Sequence, residues 1–413
     1  MPEVNTMPVQ GSAPSLRSTA YDGTKGVPGG VYNLKHKYES KMDERFRSKS
    51  YTEAYCGHGY DWTGVNAITI TTNGIGEIKE YDMNQPIGSR FGQMHEISDE
   101  HNTYQLSGYY AIRETYEALY TKEGAVRKEQ TILKDIIDLR LKPMIDQYRL
   151  KKWADGAGNT LLVSDLSMPS TCTADTLDTT NVTRVMLAAN AKLDNLDVPE
   201  EGRAFFMGIT DATMILNLAD ELKYQQTYTE QGAINGAIKK IGKATVVAIP
   251  DKLMPAGAKV LCKWKGSTVD PRNLQWMQRY NHVEGYSGPV INGIYRWDSF
   301  VLAQKTNGIL VIGDKTAAPV ANPTATIASG TVTFACKDSD VTYHYTVGGK
   351  NPKVALNATT GVTCSAAVGD IVRVYATKDG QVASGISSYE VTSASKMTLL
   401  SEDEFFITGA FTG

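Results

Sequence analysis

Long hydrophobic segments are missing from this sequence of 413 residues. The apolar runs that occur, such as residues 245–249 and 309–312, stop after a few residues, whereas a membrane-spanning helix needs about 20. The first 17 residues are polar and contain Pro2 and Pro8, so they lack the apolar stretch of a secretory signal peptide. We therefore expect a protein that has no membrane partner and that stays in the cytoplasm where it is made.

A strong excess of one charge is missing as well. The sequence has 42 lysines and arginines against 45 aspartates and glutamates, and 42 − 45 gives a formal net charge of −3. A protein that binds nucleic acid through bulk charge is expected to be markedly basic. The composition therefore argues against a protein around which DNA is wrapped.

Cysteines and histidines with metal or disulfide spacing are also lacking. The five cysteines are scattered without a CxxC pattern, and the six histidines show no HxH or HxxxH spacing. Such a set argues against a disulfide framework and against a zinc site. Cys336 and Cys364 could face each other across two sheets, but no tryptophan lies between them to pack on such a bridge. We expect them to be buried free thiols.

Catalytic motifs are missing too. Cys56 and His58 flank a glycine, but no third residue is indicated that would orient a thiol and its base. Asp135 and Asp138 fall on the charged outer face of a predicted helix, not in a cleft. We therefore predict no enzyme, no cofactor and no metal site. A hydrolase that uses Cys56 is the weakest alternative, and loss of activity on its replacement would support it.

What the sequence does contain is a series of segments with different periodicities. Residues up to about 50 are rich in Gly, Ser, Pro and Lys and have no apolar period, which indicates an extended arm. Residues 66–113 alternate like strands on either side of a long polar stretch, which predicts a hairpin. Apolar residues then recur at helical spacing from 122 to 155, and Pro143 predicts a bend near residues 139–142.

Mixed helical and strand patterns follow, and the composition changes near residue 317. From residue 180 to 312 the helices come early and the strands late, which predicts an α+β arrangement. Residues 317–323 predict a linker, and the short strands up to residue 392 predict a β-sandwich that folds independently. The last segment joins three acidic residues (402–404) to phenylalanines at 405, 406 and 411. It predicts a tail that docks on an apolar surface or stays loose.

Tyrosine is frequent, with 22 residues against nine phenylalanines. Its side chain combines a large apolar contact with a hydrogen-bonding tip and is enriched where proteins meet, although half-buried strands explain any single tyrosine equally well. Together with the arm, the hairpin and the missing catalytic motifs, this favours a protein that contacts copies of itself.

Several runs, in this order, resemble the major capsid proteins of tailed bacteriophages, which have the Hong Kong 97-type fold. Residues 62–70 (WTGVNAITI) and 80–82 (EYD) resemble the extended loop of that family. The spine-helix signature is similar to residues 140–149 (RLKPMIDQYR), with Met144 in place of the usual Glu. Residues 198–207 (VPEEGRAFFM) resemble an axial-domain strand, and residues 294–302 (IYRWDSFVL) the returning peripheral-domain strand. The segments 330–336, 341–346 and 372–377 resemble immunoglobulin-like modules of phage structural proteins.

The resemblance implies an α+β fold of the Hong Kong 97 type followed by an all-β immunoglobulin-like sandwich. The parts are an N-terminal arm (1–60), an extended hairpin loop (61–115), the spine helix of a peripheral domain (116–160), a mainly axial domain (161–290), returning peripheral strands (291–316), the sandwich (317–392) and a tail (393–413). The implied inter-subunit contacts are Lys35, Tyr38, Gly74, Lys79, Tyr81, Arg90 and Phe91. The implied spine-helix signature is Arg140, Pro143, Asp146, Tyr148 and Arg149.

The function that the resemblance implies is self-assembly. Hexamers and pentamers of the chain would form an icosahedral shell around double-stranded viral DNA, made in the bacterial cytoplasm and present in the virion. The implied partners are a separate scaffolding protein, a portal, nonspecifically bound DNA, and carbohydrate or a host surface at residues 317–392. Because the linker predicts an independent module, removing residues 317–392 is expected to leave shell formation intact. An encapsulin-type cargo shell and an exported carbohydrate-binding adhesin are the alternatives.

Overall fold

The three-dimensional structure is a computed structural model. It describes residues 50–57, 59–60, 67–72, 81, 83–84, 86, 90, 100–115, 135–170, 172–222, 240–281, 283–285, 288–354 and 358–400. All of them belong to one unit of the chain. The predicted contact residues Lys35, Tyr38, Gly74, Lys79 and Phe91 lie outside the described residues. None of the helices in the described part combines the length and the apolar character that a membrane crossing requires.

The described residues form 21 strands and three α-helices. In chain order the strands are β1 (Ala67–Thr72), β2 (Glu100–Gln105), β3 (Gly108–Thr115), β4 (Asn159–Leu162), β5 (Arg203–Gly208), β6 (Lys240–Ile241), β7 (Ala244–Ile249), β8 (Val260–Trp264), β9 (Thr268–Val269), β10 (Arg272–Tyr280), β11 (Val290–Trp297), β12 (Phe300–Val301), β13 (Ile309–Gly313), β14 (Thr324–Ala328), β15 (Thr331–Ala335), β16 (Thr342–Val347), β17 (Thr359–Thr360), β18 (Thr363–Ser365), β19 (Ile371–Thr377), β20 (Ser387–Ser393) and β21 (Lys396–Leu400). The helices are α1 (Lys142–Asp155), α2 (Val182–Asn195) and α3 (Ile209–Leu222).

A mixed sheet of six strands forms the centre of this fold, in the order β4-β13-β8-β5-β7-β6. Strand β5 pairs in parallel with β7 and in antiparallel fashion with β8, so it is covered on both edges. Phe205 and Met207 point into the core that α2 and α3 cover, whereas Ala204 and Phe206 point into the core beneath α1. Because successive side chains of a strand face opposite sides, a strand buried on both faces is apolar throughout. The α+β arrangement predicted for this region is confirmed.

The predicted hairpin is confirmed at its base. Strands β1 and β2 pair in antiparallel register from Ala67 opposite Gln105 to Thr72 opposite Glu100. The chain then continues as β3, which forms a three-stranded antiparallel sheet in the order β10-β11-β3. Strands β9 and β12 pair separately, with Phe300 opposite Val269. The hairpin is therefore a separate two-stranded ribbon, and Ile68 and Ile70 on one of its faces pack in a cluster with Tyr104, Val269 and Leu302.

The predicted bend at Pro143 takes the form of a π-helical segment. Residues Ile137–Leu141 wind as a π-helix and run directly into α1. A proline in a helix lacks an amide hydrogen, and its ring clashes with the carbonyl four residues earlier, here that of Leu139. The wider π turn accommodates both effects without ending the helix. Residues 116–134 of the predicted spine-helix segment lie outside the described residues.

The C-terminal region is a sandwich of two antiparallel sheets. One has the order β14-β15-β18 and the other the order β17-β16-β19-β20-β21. Alternating residues such as Val332, Phe334, Val372 and Val374 fill the core between the sheets. The predicted boundary at residue 392 is wrong, because β20 continues to Ser393 and β21 adds an edge strand that ends at Leu400. All five cysteines are free thiols, with Cys364 buried and Cys336 half-buried.

The sandwich packs directly against the rest of the chain and is held there by hydrogen bonds in addition to the linker. Val382 is 2% exposed and packs in the core beneath α1, and its amide donates to the Ala256 carbonyl over 3.1 Å. Asn351 Nδ2 donates to the Ala303 carbonyl over 2.9 Å, and Lys353 Nζ to the Ala157 carbonyl over 2.5 Å, just past the end of α1. These contacts argue against the independence that the linker composition predicts.

Titration of Lys353 is expected to make stability depend on pH. Burial of its ammonium group lowers the pKa of Lys353 from 10.5 to about 7, with Asp155 acting in the opposite direction. Between about pH 7 and pH 10 the unfolded chain holds a proton that the folded chain has lost. The free energy of unfolding therefore rises with pH in this window, by at most about 1.4 kcal/mol per pH unit. Urea unfolding at several pH values measures this slope.

The matched variants for this experiment are Lys353→Met and Lys350→Met. The first removes this titrating group and should reduce the slope, most clearly between pH 7 and pH 8, before Lys263, whose pKa burial lowers to about 8, also loses its proton. Lys350 is exposed, so its replacement should leave the slope of the unmodified chain. Equal slopes for all three proteins would contradict the prediction.

Candidate functional site

Asp146 on α1 binds the chain segment that leads out of the arm. Its side chain is fully buried. One carboxylate oxygen accepts hydrogen bonds from Ser50 Oγ over 2.8 Å and from Thr52 Oγ1 over 2.6 Å, and the other accepts from the Tyr51 amide over 2.9 Å. A buried carboxylate is stable only when its oxygens are satisfied in this way. Asp146 thus fixes residues 50–52 against the helix.

Arg149, one helical turn further along α1, joins the same segment to the peripheral strands. Its side chain is 2% exposed, and Nη1 donates to Thr52 Oγ1 over 3.2 Å. Its Nε lies 3.9 Å from Asp270 Oδ1. Asp270 also accepts from Thr268 Oγ1 and from Ser299 Oγ. This buried network therefore connects α1 with the residues just before β10 and β12.

Trp153 and Lys263 extend this buried network toward the arm segment. Trp153 Nε1 donates to Ser299 Oγ over 2.8 Å, and Lys263 Nζ lies 4.0 Å from the centroid of the Trp153 ring. The ammonium also donates to the Tyr55 carbonyl over 2.5 Å. Burial lowers the pKa of Lys263 to about 8, and the nearby Asp270 works against that shift. The contact with Tyr55 extends the anchoring of the arm segment beyond Thr52.

Asp298 fixes the base of the projecting hairpin. It is 1% exposed, and its Oδ2 accepts from the amide and the hydroxyl of Ser107 over 2.9 and 2.8 Å. Its Oδ1 accepts from the Tyr148 hydroxyl over 2.8 Å. Burial, followed by the hydrogen bond to Asp298, raises the pKa of Tyr148, so the phenol stays a donor. Since Ser107 lies between β2 and β3, Asp298 and α1 together set where the ribbon leaves the body of the molecule.

We name this set of contacts the α1 junction: Ser50, Thr52, Ser107, Asp146, Tyr148, Arg149, Trp153, Lys263, Asp270, Asp298 and Ser299. Three of the five signature residues, Asp146, Tyr148 and Arg149, meet there. Pro143 lies in the first turn of α1, and Arg140 is exposed in the π-helical segment. Of the predicted contact residues that are described, Tyr81 is 47% exposed and Arg90 is half-buried.

Sequence reasoning missed the partners of the signature residues. Asp270, Lys263 and Ser107 carried no signal, because their partners on α1 lie far away along the chain. Asp298 stands in the quoted run 294–302, but nothing in that run marks it as the acceptor for Ser107 and Tyr148. One usable signal was its position beside Ser299, since Asp and Ser next to a strand end commonly bond nearby backbone amides.

The α1 junction does not support chemistry at Cys56. Its thiol is fully buried and donates to the Thr52 carbonyl over 3.3 Å. Burial and the nearby Asp270 raise the pKa of Cys56 to about 12. Because the thiolate is the nucleophilic form, such a thiol is inert at neutral pH. In the part of the chain that the structure describes, no three His, Cys, Asp or Glu residues are grouped to hold a metal ion.

A second buried charge, that of Arg203, fixes the conformation of the chain at the start of the run 198–207. Arg203, at the start of β5, has a fully buried side chain whose Nη1 lies 2.7 Å from Asp194 Oδ1 at the end of α2. Its guanidinium also donates to the carbonyls of Val198 and Pro199. The residues between α2 and β5 thus wrap around one arginine. Hydrogen bonds from Lys243 and Arg203 hold the pKa of Asp194 below its usual range.

Replacing Arg203 with methionine is expected to destabilise the fold strongly. The variant keeps most of the volume but leaves the Val198 and Pro199 carbonyls without their donor, which should cost about 2 to 4 kcal/mol. Urea unfolding followed by tryptophan fluorescence measures the loss. The matched control is Lys243→Met, which removes the exposed partner of Asp194 and should change stability little. Equal effects of the two changes would contradict the buried role of Arg203.

Solved structures from phages share this architecture. No protein-family model and no curated protein matches the sequence. A solved structure from Mycobacterium phage Che8 is 13% identical, with a TM-score of 0.56 over 69% of this chain and 98% of that chain. A capsid structure of cyanophage P-SCSP1u is 11% identical, with a TM-score of 0.55 over 68% and 93%. A chain of the mature capsid of bacteriophage PhiM1 is 7% identical, with a TM-score of 0.52 over 68% and 91%.

These similarities define the class of the fold. The chain has the fold of phage capsid proteins. The expectation of a phage capsid fold is therefore confirmed, whereas the immunoglobulin-like character of the sandwich stays a prediction. Each of these structures matches over nearly its whole length, whereas about a third of this chain has no counterpart in them.

Proposed function

We propose that this protein is the major capsid protein of a tailed bacteriophage, which assembles with copies of itself into an icosahedral shell around double-stranded DNA. The observation that carries the proposal is the phage capsid fold, combined with a buried junction that anchors two projecting segments. The shell would contain hexamers and pentamers, and it would be built in the bacterial cytoplasm.

The hairpin supports self-assembly on physical grounds. Strands β1 and β2 form a sheet of only two strands, with Ala67, Thr69, Thr71 and His101 exposed. The other face of the ribbon, which carries Ile68 and Ile70, packs against Val269 and Leu302 of the same chain. A two-stranded ribbon is marginally stable in water unless other surfaces cover it. The exposed face gains such cover if it lies across a neighbouring subunit. The proposed contact residues Tyr81 and Arg90 lie along the same excursion.

We also propose roles for the remaining parts. The C-terminal sandwich is an immunoglobulin-like module on the outer surface of the shell, where it contacts carbohydrate or the host surface. The inner surface touches packaged DNA nonspecifically, so that binding weakens with salt. A separate scaffolding protein guides assembly, and a portal occupies one vertex.

Electron microscopy of the purified chain tests the function. We expect closed polyhedral shells of uniform size when the chain is made together with its scaffolding protein. Uniform closed shells from the chain alone would contradict the separate scaffolding protein. Shells that enclose a protein cargo in place of DNA would favour the encapsulin-type alternative, and monomers that bind glycans would favour the adhesin.

A further inference from the structure

A cleft of about 820 Å³ lies between the last turns of α1, the loop before β8 and the sandwich. Lys151 and Lys152 line it from α1, residues 253–256 from the loop, and residues 375–383 from the sandwich. The cleft forms where the sandwich packs against α1. Its lining also includes residues 103–105 of β2 and Ser299 of the α1 junction.

The cleft carries an excess of positive charge. Its lining holds Lys151, Lys152 and Lys378 against Asp155 and Asp379, and 3 − 2 gives +1; Lys353 also lines the cleft, but burial lowers its pKa to about 7, so it adds little charge above that pH. Among the described residues, no carboxylate lies within 4 Å of the ammonium groups of Lys151, Lys152 or Lys378. Lys151 and Lys152 are also exposed. These cations are therefore available to an acidic ligand.

One wall of the cleft is apolar. Leu253 and Val301 are nearly buried, whereas Met254 and Phe300 remain half-exposed toward the cleft. An occupant that fits both surfaces needs acidic groups next to large apolar side chains. Such a ligand would neutralise the lysines and cover the remaining apolar surface at the same time.

The C-terminal segment of this chain has that composition. Residues 401–413 carry three adjacent acidic residues at 402–404, phenylalanines at 405, 406 and 411, and no lysine or arginine. Residues 1–49 have eight basic and five acidic residues, so their charge of +3 has the wrong sign. The hairpin segment 73–99 has two basic and five acidic residues, but these are spread over 27 positions. The C-terminal segment is therefore the better match.

The geometry of the chain permits the contact within one molecule. Leu400 ends β21 and pairs with Ser388 on β20. Ala383 lines the cleft only five positions before Ser388, a separation of at most about 18 Å along an extended chain. The acidic residues at 402–404 lie two to four positions after Leu400 and reach at most about 14 Å from it. The Ala383 amide donates to Asp155 Oδ1 on α1 over 3.4 Å, so the acidic residues can approach the end of the cleft that Ala383 and Asp155 line.

We propose that residues 401–413 bind in this cleft of their own chain, with residues 402–404 facing Lys151 and Lys378 and the phenylalanines covering Met254 and Phe300. This contact goes beyond the proposed capsid function and does not depend on it.

A fluorescent peptide of residues 401–413 tests the proposal. Added to a chain that ends at Leu400, it should bind with an affinity that falls with added salt. The complete chain should bind the peptide at least about tenfold more weakly, because its own tethered segment occupies the cleft at a high effective concentration. Neutralising residues 402–404 in the complete chain should restore peptide binding, which keeps the test valid if the shortened chain folds poorly.

Cleft variants locate the binding. Lys151→Gln with Lys378→Gln should weaken peptide binding by about threefold to tenfold, whereas Lys396→Gln, on exposed β21, should not. The proposal is overturned if the peptide does not bind, if the complete and shortened chains bind it equally, or if the lysine variants have no effect. Stronger competition by a peptide of residues 73–99 or by a DNA oligonucleotide would overturn the assignment of the occupant.

Discussion

Replacing Asp298 with alanine is expected to have the largest effect of any single change at the α1 junction. The variant leaves the Ser107 amide, the Ser107 hydroxyl and the Tyr148 hydroxyl without their acceptor, in contacts that are partly buried. Loss of these hydrogen bonds to a carboxylate should cost about 3 kcal/mol. The base of the ribbon then detaches from α1, and shell formation should be lost. Urea unfolding and electron microscopy measure the two effects.

A graded set of variants distinguishes the anchoring of the hairpin by Asp298 from a nonspecific loss of stability. Asp298→Asn keeps the shape and one acceptor oxygen but turns its NH2 group toward either Ser107 or Tyr148, so we expect roughly half of the alanine effect. Tyr148→Phe removes one hydrogen bond and should cost about 1 kcal/mol. Asp165→Ala, at an exposed position, should change nothing. If Asp298→Ala proved as mild as Asp165→Ala, Asp298 would not anchor the hairpin.

Removing the sandwich, residues 317–413, is expected to destabilise the remaining chain, contrary to the expectation from the linker composition. The deletion strips Val382 from the core beneath α1 and removes the donors to the carbonyls of Ala157, Ala256 and Ala303. Burial of one valine and three hydrogen bonds together suggest a loss of about 3 kcal/mol or more. Calorimetry should show a fall in Tm of about 6 to 12 °C.

Two variants of the complete chain serve as controls for this deletion. The double variant Asn351→Ala with Lys353→Met keeps the sandwich but removes its hydrogen bonds to the Ala303 and Ala157 carbonyls. Its Tm should therefore lie between those of the complete and the shortened chain. Thr359→Ala, on the exposed strand β17, should match the complete chain. Unchanged Tm and normal shells after the deletion would restore the view that the sandwich is an independent decoration.

Local pattern was enough to predict the elements of the central sheet. Strand β5 reads as a buried strand because both of its faces are apolar, and α2 reads as a helix because its apolar residues recur every three to four positions. The helix bend was predicted from Pro143 alone, since the clash of a proline ring is a local effect. Its form as a π-helical turn was not predictable, because it depends on how the flanking helix packs.

The candidate site was predictable only in part. The resemblance singled out Asp146, Tyr148 and Arg149, but not what they bind, because Ser50 and Asp298 lie 96 and 150 residues away from their partners on α1. No local period encodes such pairs. The end of the sandwich was misplaced for a related reason. Residues 396–400 have little apolar alternation of their own, and β21 is defined by its pairing with β20.

The wide spacing of the contacts on α1 also sets an order of events during synthesis. The helix meets Thr52 as soon as it leaves the ribosome, but Asp270 and Asp298 emerge more than 100 residues later, and the sandwich that covers its C-terminal end emerges last. Pairings at such separation form slowly, and domains fold largely as the chain is delivered. In a nascent chain the contact between Ser107 and Asp298 at the base of the ribbon therefore forms only after residue 298 of the 413 has been made.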